Sequence, residues 1–334
     1  MARTGVDRES QRVTTLEEEI LRLLFDFHYL TAEQLTRLRY SPTSINHARE
    51  LLKRLFDKGL VGRTFGPRSQ PAGSVPWVYF LARKGRRLMS EMGLETERRY
   101  RPSEERRRTD TFLFHTLAVN DVLVAAKLLE RHIGAVMIAG MRHDLDLKRN
   151  PVKLPTGKVD QKTGEVEQES ISPDGWVNFR ARLPDRERPV SFPLLLEIDR
   201  DTEGVDRIKK KVRGLLSYIK EPYQEIFGTR YVTVAFIVED AACRRAGGPD
   251  KRLADLVRWA EETLKDLGQE KQANLFVFTT LPSGHELDPV EFFLSPRALQ
   301  PFSDVPLSLL DLPTPIKRTN GQSKPLSVYS RAVR

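Results

Sequence analysis

The sequence predicts an α/β fold in two parts: a helical N-terminal region ending in a β-hairpin, then an α/β sandwich with a mixed central sheet. Three observations predict it. Apolar residues recur at helical spacing before residue 60. Two short apolar runs then flank a loop rich in Gly, Pro and Ser. From residue 111 onward, strongly apolar strand-like runs alternate with amphipathic helices. A chain of 334 residues is long enough for two domains.

Composition narrows the class of protein. Hydrophobic residues make up 39% of the chain and charged residues 30%, which fits a chain with buried cores and a soluble surface. Cys243 is the single cysteine, so an internal disulfide framework is excluded. No apolar stretch approaches the ~20 residues of a membrane span, and the N-terminus lacks the apolar core of a signal peptide. We expect a cytoplasmic protein without a membrane partner.

Positive charge is concentrated at the N-terminal end. The chain carries a net charge of +9. Residues 1–110 hold 22 lysines and arginines against 15 acids, a net +7, which leaves +2 for the other 224 residues. A basic segment beside a nearly neutral remainder favours a polyanionic partner, nucleic acid first, although a basic solvated surface without a partner fits the same charge.

The first third predicts three helices. Helix starts are expected at Thr15, Thr31 and Ser41, since Ser and Thr are favoured N-cap residues. Pro42 suits the first position of the third helix, and Gly59 ends it. Strands are predicted at residues 61–65 and 77–81, with a loop between them, and a further helix begins near residue 84.

Three helices followed by a two-stranded wing is the plan of a winged helix-turn-helix, which we assign to residues 1–94. In that plan the third helix enters the major groove and the wing meets phosphate or the minor groove. A winged helix used for protein contacts or dimerisation is the alternative. The predicted DNA-binding residues lie on the third helix, the wing tip and the next helix: Thr43, Ser44, Asn46, His47, Arg49, Lys53, Arg68, Lys84 and Arg86.

The middle of the chain predicts a linker and a core helix. Residues 95–110 are charged and almost free of apolar residues, which indicates a basic linker or an exposed arm. Residues 111–131 predict a deeply packed helix, and residues 136–147 a strand. Residues 148–169 contain few apolar residues and predict a long loop or mobile insertion.

An acidic stretch organises the second part. Residues 176–179 and 192–198 predict a strand hairpin, in which Glu197 and Asp199 point to the same face and Asp174 comes close to Glu197. Carboxylates converging at a sheet end are the ligands that Mg²⁺ prefers. The alternative is that these acids cap strands and pair with nearby arginines and lysines.

The remaining elements complete an α/β sandwich. A helix is predicted at residues 205–219, a strand at 231–238, a helix at 249–267 and a strand at 275–279. The segment 283–334 is Pro-rich and predicts an irregular tail with at most one short pairing near Leu294. The sequence has no dinucleotide-binding glycine motif, no phosphate-binding loop and no His-Glu-x-x-His, so the corresponding chemistries are disfavoured.

The second part, residues 111–282, resembles the PD-(D/E)XK nuclease fold, a restriction-endonuclease-like αβ sandwich. The resemblance rests on Pro173-Asp174, a 23-residue gap, and Glu197-x-Asp199. Residues 14–282 as a whole resemble the replication-relaxation family of plasmids and mobile elements, through VYFLARKG, FHTLAVNDVLVAA, SPDG and LLLEIDRDTE.

The nuclease resemblance implies Mg²⁺-dependent phosphodiester hydrolysis, with Asp174 and Glu197 holding the metal and Asp199 assisting. A lysine orients or activates the water in such enzymes. Here Glu-Ile-Asp replaces the usual Glu-x-Lys, so that lysine is missing. The spacing allows Lys209, Lys210 or Lys211 of the following helix to take its place, with Lys209 and Lys211 retained as candidate catalytic residues.

Three functions follow. The first is a DNA-binding protein of a plasmid or mobile element acting in replication or transfer, whose nuclease-like domain need not be active and needs no cofactor if it is inactive. The second is an active Mg²⁺-dependent endonuclease or nickase. The third is a transcription regulator whose second domain serves dimerisation or partner binding. Double-stranded DNA, replication or transfer proteins and a second copy of the chain are the expected partners.

Overall fold

The computed structural model describes residues 13–40, 44–67, 75–94, 102–105, 107–149, 151–159, 164, 166–184, 186–244, 246–282 and 286–312. The chain divides into two compact units, residues 1–124 and 125–334, and the division falls inside a long helix. The domain boundaries expected from the sequence, at residues 94, 110 and 282, stay predictions.

The first unit alternates helices with a small sheet. Its elements are, in chain order, α1 (Thr15–Phe27), β1 (Leu30–Thr31), α2 (Ala32–Arg39), α3 (Ile45–Asp57), β2 (Val61–Phe65), β3 (Trp77–Leu81), α4 (Arg83–Glu91), α5 (Pro102–Glu105) and the start of α6 (Asp110–His132). The strands form an antiparallel sheet in the order β1-β3-β2, with Phe65 opposite Trp77.

Side-chain caps fix where the first two helices begin. Thr14, one residue before the predicted Thr15, caps α1 in a reciprocal capping box with Glu17. Thr31 forms the same motif with Gln34 and caps α2, as predicted. α3 begins at Ile45 after Ser44, later than the predicted start at Ser41, and residues 41–43 lie outside the described residues.

Part of the predicted linker is buried. Glu105, at the end of α5, is 7% exposed and accepts a hydrogen bond from the Tyr29 hydroxyl. Arg108 donates to the same hydroxyl at 3.1 Å and lies over the Phe112 ring. A buried tyrosine hydroxyl needs polar partners, and Glu105 and Arg108 supply them to Tyr29. The expectation that this segment is an exposed arm is therefore wrong at Glu105.

α6 is the long helix predicted at residues 111–131. It is the one helix of the described residues that is long and apolar enough to cross a membrane, by length and composition alone. However, 61% of its most apolar window is buried inside the structure, which is typical of the core helix of a soluble protein. In the first unit, Asn120 is fully buried and its amide donates to the Phe27 and Tyr29 carbonyls.

The second unit is built on a large sheet. Its further elements are β4 (Val136–His143), α7 (Asp144–Leu147), β5 (Val152–Val159), β6 (Val166–Ile171), β7 (Gly175–Ala181), β8 (Val190–Asp199), α8 (Val205–Lys220), α9 (Pro222–Phe227), β9 (Thr233–Glu239), α10 (Gly248–Asp266), β10 (Phe276–Leu281), α11 (Pro289–Leu294), β11 (Ala298–Gln300) and β12 (Ser303–Leu307).

Seven of these strands form one mixed sheet in the order β12-β11-β10-β9-β8-β7-β4. The central strands β8, β9 and β10 are parallel, and the strands on either side pair antiparallel. This confirms the predicted α/β fold with a mixed central sheet.

The core lies on both faces of this sheet. On one face, Trp176 and Leu195 pack with α8, α9 and α10, around residues such as Val212 and Leu256. On the other, Phe179 meets Phe293 of α11 at a ring-centroid distance of 5.2 Å. Side chains alternate between the two faces along each strand. Residues two or four positions from Trp176 in β7, or from Leu195 in β8, therefore lie on the face that packs against α8 and α10.

Three predicted elements are different in the structure. The strand expected at residues 136–147 ends at His143, and α7 follows it. The segment predicted as a mobile insertion is the hairpin β5–β6, whose Leu154 and Ile171 pack into the α8 core. The segment predicted as an irregular tail forms α11, β11 and β12, with Leu294 in the helix; residues 313–334 lie outside the described residues.

Candidate functional site

The register of β7 and β8 places Asp174 beside Glu197 at one end of the sheet. Gly175 pairs with Leu196, and the Asp174 amide donates to the Leu196 carbonyl at 3.0 Å. Both acids lie on the face that carries Trp176 and Leu195, and they are 7% and 4% exposed. The backbone amide of Ile198 donates to Asp174 Oδ2 at 2.9 Å, which fixes the orientation of this carboxylate.

α8 brings one lysine to this carboxylate pair. Lys211 lies one turn after Ile208, on the stripe of α8 that faces the sheet. Its Nζ is 3.0 Å from Glu197 Oε2 and 3.2 Å from Glu203 Oε2. Of the three lysines that the spacing allowed, Lys211 is therefore the one whose ammonium group lies beside Glu197.

Burial shapes the charges of this group. Burial raises the pKa of Glu197 to about 7; the Asp174 carboxylate also raises it, while Lys211 opposes the shift. Burial alone would lower the pKa of Lys211, but attraction by Glu197, Asp174 and Glu203 outweighs it and raises that pKa above its usual range. Lys211 is therefore held as a cation beside these acids.

A second acid–lysine pair, which the sequence did not predict, lies just after β4, at the start and at the C-cap of α7. His143 of β4 pairs with Gly175, so Asp144 follows in the same row as Asp174. Asp144 is fully buried, and Lys148 Nζ lies 2.8 Å from its Oδ2. The signal available was an acid at the end of a predicted strand, with a lysine four residues later.

Lys148 faces the same carboxylates. Burial alone would lower its pKa, but attraction by Asp144, Asp174 and Glu197 raises it. Burial would raise the pKa of Asp144, whereas hydrogen bonding to His143 and the charge of Lys148 hold it well below its usual range. Lys148 therefore interacts electrostatically with the Asp174–Glu197 pair, while its ion pair is with Asp144.

Two predicted catalytic residues are held elsewhere. Asp199 is 5% exposed and accepts two hydrogen bonds from Arg252 of α10, from Nε at 2.7 Å and from Nη2 at 2.6 Å. Lys209 points to α10 and pairs with Glu262 at 2.6 Å. The structure thus brings together Asp174, Glu197 and Lys211, and it separates Asp199 and Lys209 from them.

The donor set bears on the expected metal. Within the described residues, no group of three or more His, Cys, Asp or Glu side chains is arranged to hold an ion. Mg²⁺ commonly binds through one or two carboxylates and keeps several waters. Asp174 and Glu197, two adjacent acids at a strand end, fit that pattern, whereas Asp199 is engaged by Arg252.

α3 presents a polar surface to solvent. Asn46, Arg49 and Lys53 are exposed and lie within one stripe of the helix, and Arg49 donates to Asn46 Oδ1 at 3.4 Å. His47 is exposed and meets the Tyr40 ring edge-on at 5.2 Å. Ser44, at the N-cap, makes no side-chain cap hydrogen bond.

The other residues predicted to contact DNA differ in their exposure. Lys84 is exposed and donates to the Lys58 carbonyl at 3.3 Å. Arg86 is half-buried and donates to the Leu81 carbonyl at 3.4 Å, which directs it along the protein backbone. Thr43 and Arg68 lie outside the described residues.

Comparison with known proteins identifies the family. The model of a family described as Replication-relaxation matches residues 21–229, which is more than half of the chain and includes α3, Asp174, Glu197 and Lys211. No curated protein and no solved structure matches the chain. The match indicates a role in replication or in the relaxation of mobile elements. The chain therefore belongs to the replication-relaxation family.

Proposed function

We propose that this chain is a DNA-binding protein of a plasmid or mobile element that acts in replication or transfer and cleaves phosphodiester bonds with Mg²⁺. The observation that carries the cleavage proposal is the lysine supplied by α8: Lys211 Nζ lies 3.0 Å from Glu197 Oε2. Asp174, the residue just before β7, lies beside Glu197. The Glu-Ile-Asp motif lacked such a group.

DNA binding is assigned to the first unit, read as a winged helix-turn-helix. The order α1, α2, α3 and then the β2–β3 hairpin supports this reading. The exposed stripe of Asn46, Arg49 and Lys53 on α3 offers an amide and two cations to a duplex.

In the second unit, Asp174 and Glu197 are the residues that would hold Mg²⁺. The metal, when bound, supplies Lewis acidity toward the phosphate oxygens. Asp174 is held in place by the Ile198 amide, so its carboxylate is preorganised. Lys211 remains a cation and is suited to orienting the attacking water or balancing charge on the phosphate. Lys148 adds a second cation beside the same acids.

A non-cleaving DNA-binding scaffold is the second candidate, and two observations favour it. Lys211 pairs with Glu203 as well as with Glu197, so the carboxylates are already neutralised in part. Arg252 occupies both oxygens of Asp199. In this reading the domain keeps the fold without the reaction, and no cofactor is needed.

Incubation of supercoiled and linear DNA with the purified chain and Mg²⁺ or Mn²⁺ separates the two candidates. Cleavage by the wild type that is lost in both Asp174→Asn and Glu197→Gln, and retained in Glu262→Gln, supports the nuclease. Glu262 is a matched control because it pairs with Lys209, which lies on α8 as Lys211 does. DNA binding without cleavage under either metal would establish the scaffold.

A further inference from the structure

The β2–β3 hairpin carries a continuous stack of flat side chains. The Arg63 guanidinium lies 4.4 Å from the Phe56 ring centre and 4.2 Å from the Trp77 ring centre. The Trp77 ring stacks on Phe65 at a centroid distance of 4.2 Å and an interplanar angle of 25°. We call Phe56, Arg63, Trp77 and Phe65 the hairpin stack. It begins on α3 and ends at the last residue of β2.

The end of the hairpin stack is open to solvent. Phe65 is 64% exposed, the largest value among the exposed large hydrophobic residues of the described chain. Trp77 is half-buried beside it. Stacking within a strand pair contributes to the hairpin, but it does not require the terminal ring to face water. An exposed aromatic ring at the end of an ordered stack is suited to receive another planar group.

The hairpin stack continues the polar stripe of α3. Residues at positions 46, 49, 53 and 56 lie within a narrow sector of a helix with 3.6 residues per turn. Asn46, Arg49 and Lys53 therefore lead directly to Phe56, on which Arg63 rests. One side of this surface supplies cations and the other supplies π faces, which is the combination that binds single-stranded nucleic acid.

We propose that Phe65 stacks on an unpaired nucleobase, so that the hairpin takes up single-stranded nucleic acid next to the duplex bound by α3. The proposal rests on the proposed DNA binding by the first unit. Three cations along the path, Arg49, Lys53 and Arg63, complement the phosphates of such a strand. The occupant is a nucleic-acid base; an aromatic contact with a second copy of this chain is the competing outcome.

The test measures the affinity of the full chain for a blunt duplex, for the same duplex with a single-stranded extension, and for the extension alone. Base–aromatic stacking predicts that Phe65→Ala weakens binding of the extended duplex by roughly five- to a hundredfold and leaves blunt-duplex binding unchanged. Phe65→Tyr, which keeps the ring, is expected to restore binding. Lys53→Ala is expected to weaken binding of all three DNAs.

Each other result overturns the proposal. Equal loss for blunt and extended duplexes would make Phe65 a duplex contact, and no loss for either would remove it from the interface. A change of oligomeric state in Phe65→Ala, measured by light scattering, would assign the ring to a second copy. Binding of none of the DNAs by the wild type would defeat both proposals. Binding of the isolated extension but of neither duplex would overturn the placement of the single strand next to a bound duplex.

Discussion

Lys211 of α8 forms an ion pair with Glu197 of β8 at 3.0 Å, whereas Lys209, two residues earlier on the same helix, pairs with Glu262 of α10. Two residues along a helix turn a side chain by about 200°. Because of this rotation, Lys211 lies at the Asp174–Glu197 pair, whereas Lys209 and Lys210 pair with other acids.

This difference predicts a sharp contrast between neighbouring variants. Lys211→Ala is expected to lower the rate of Mg²⁺-dependent DNA cleavage by roughly 100-fold or more, because it removes the cation beside the reacting phosphate. Lys209→Ala is expected to retain the wild-type rate. Rates on supercoiled DNA measure both, with DNA affinity measured in parallel. Wild-type cleavage by Lys211→Ala would show that the lysine is only structural.

The buried pair of Asp199 and Arg252 predicts a structural role for Asp199. Removing one partner of a buried ion pair leaves the other uncompensated and costs about 3–5 kcal/mol. Asp199→Ala and Arg252→Met are each expected to lower the free energy of unfolding by this amount in urea. The double variant should lose less than the sum of the two. Asp199→Ala with wild-type stability but weakened metal binding would instead restore its predicted role as a ligand.

The cap of α1 predicts a pH-dependent contribution to stability. Glu17 is 2% exposed and accepts hydrogen bonds from the Thr14 amide at 2.9 Å and from Lys58 Nζ at 2.8 Å. Burial would raise the pKa of Glu17, but Lys58 and Thr14 together lower it below its usual range. Folding therefore favours the ionised carboxylate, and its stabilisation is present above the unfolded pKa and is lost as pH falls through the folded pKa.

Glu17→Gln is accordingly expected to destabilise the first unit by about 1–3 kcal/mol at neutral pH. The difference from the wild type should shrink as the pH falls below the unfolded pKa of the carboxylate and through its lower folded pKa. Hydrogen exchange of the α1 amides measures both quantities within this unit. A difference that stays constant over the whole pH range would contradict the assignment of the effect to the Glu17 charge.

Gly85 predicts a steric requirement in α4. A Cβ at this position would lie 2.1 Å from the Leu60 carbonyl oxygen, which is a backbone atom and cannot rotate away. Gly85→Ala is expected to destabilise the first unit by about 1–3 kcal/mol, despite the better helix propensity of alanine. Ser90→Ala, at an exposed position of the same helix, is the control. An unfolding temperature of Gly85→Ala equal to or higher than that of the wild type would show that α4 does not approach Leu60 this closely.

Much of the second unit was predictable because its central strands are strongly apolar. Residues 192–198 read as a buried strand, and β8 is buried from Pro193 to Asp199. The hairpin pairing then placed Asp174 beside Glu197. The hairpin β5–β6 was not predictable, because most of its residues are polar and so give no apolar strand pattern. Leu154 is one of its few apolar residues that are buried.

The parts of the site that were missed depend on contacts between distant segments. Asp144 and Lys148 join the site only through the pairing of β4 with β7, which adjoins β8. The partner of Asp199 is Arg252, 53 residues later in the chain. The spacing of residues 209–211 allowed any of the three lysines, and only the packing of α8 on the sheet selects Lys211.

Titration of the purified chain with Mn²⁺, followed by electron paramagnetic resonance, tests most directly whether Asp174 and Glu197 form one metal site. The wild type is expected to bind Mn²⁺, with binding competed by Mg²⁺, weakened in both Asp174→Asn and Glu197→Gln, and unchanged in Glu262→Gln. No binding by the wild type, or binding that survives both substitutions, would contradict the site.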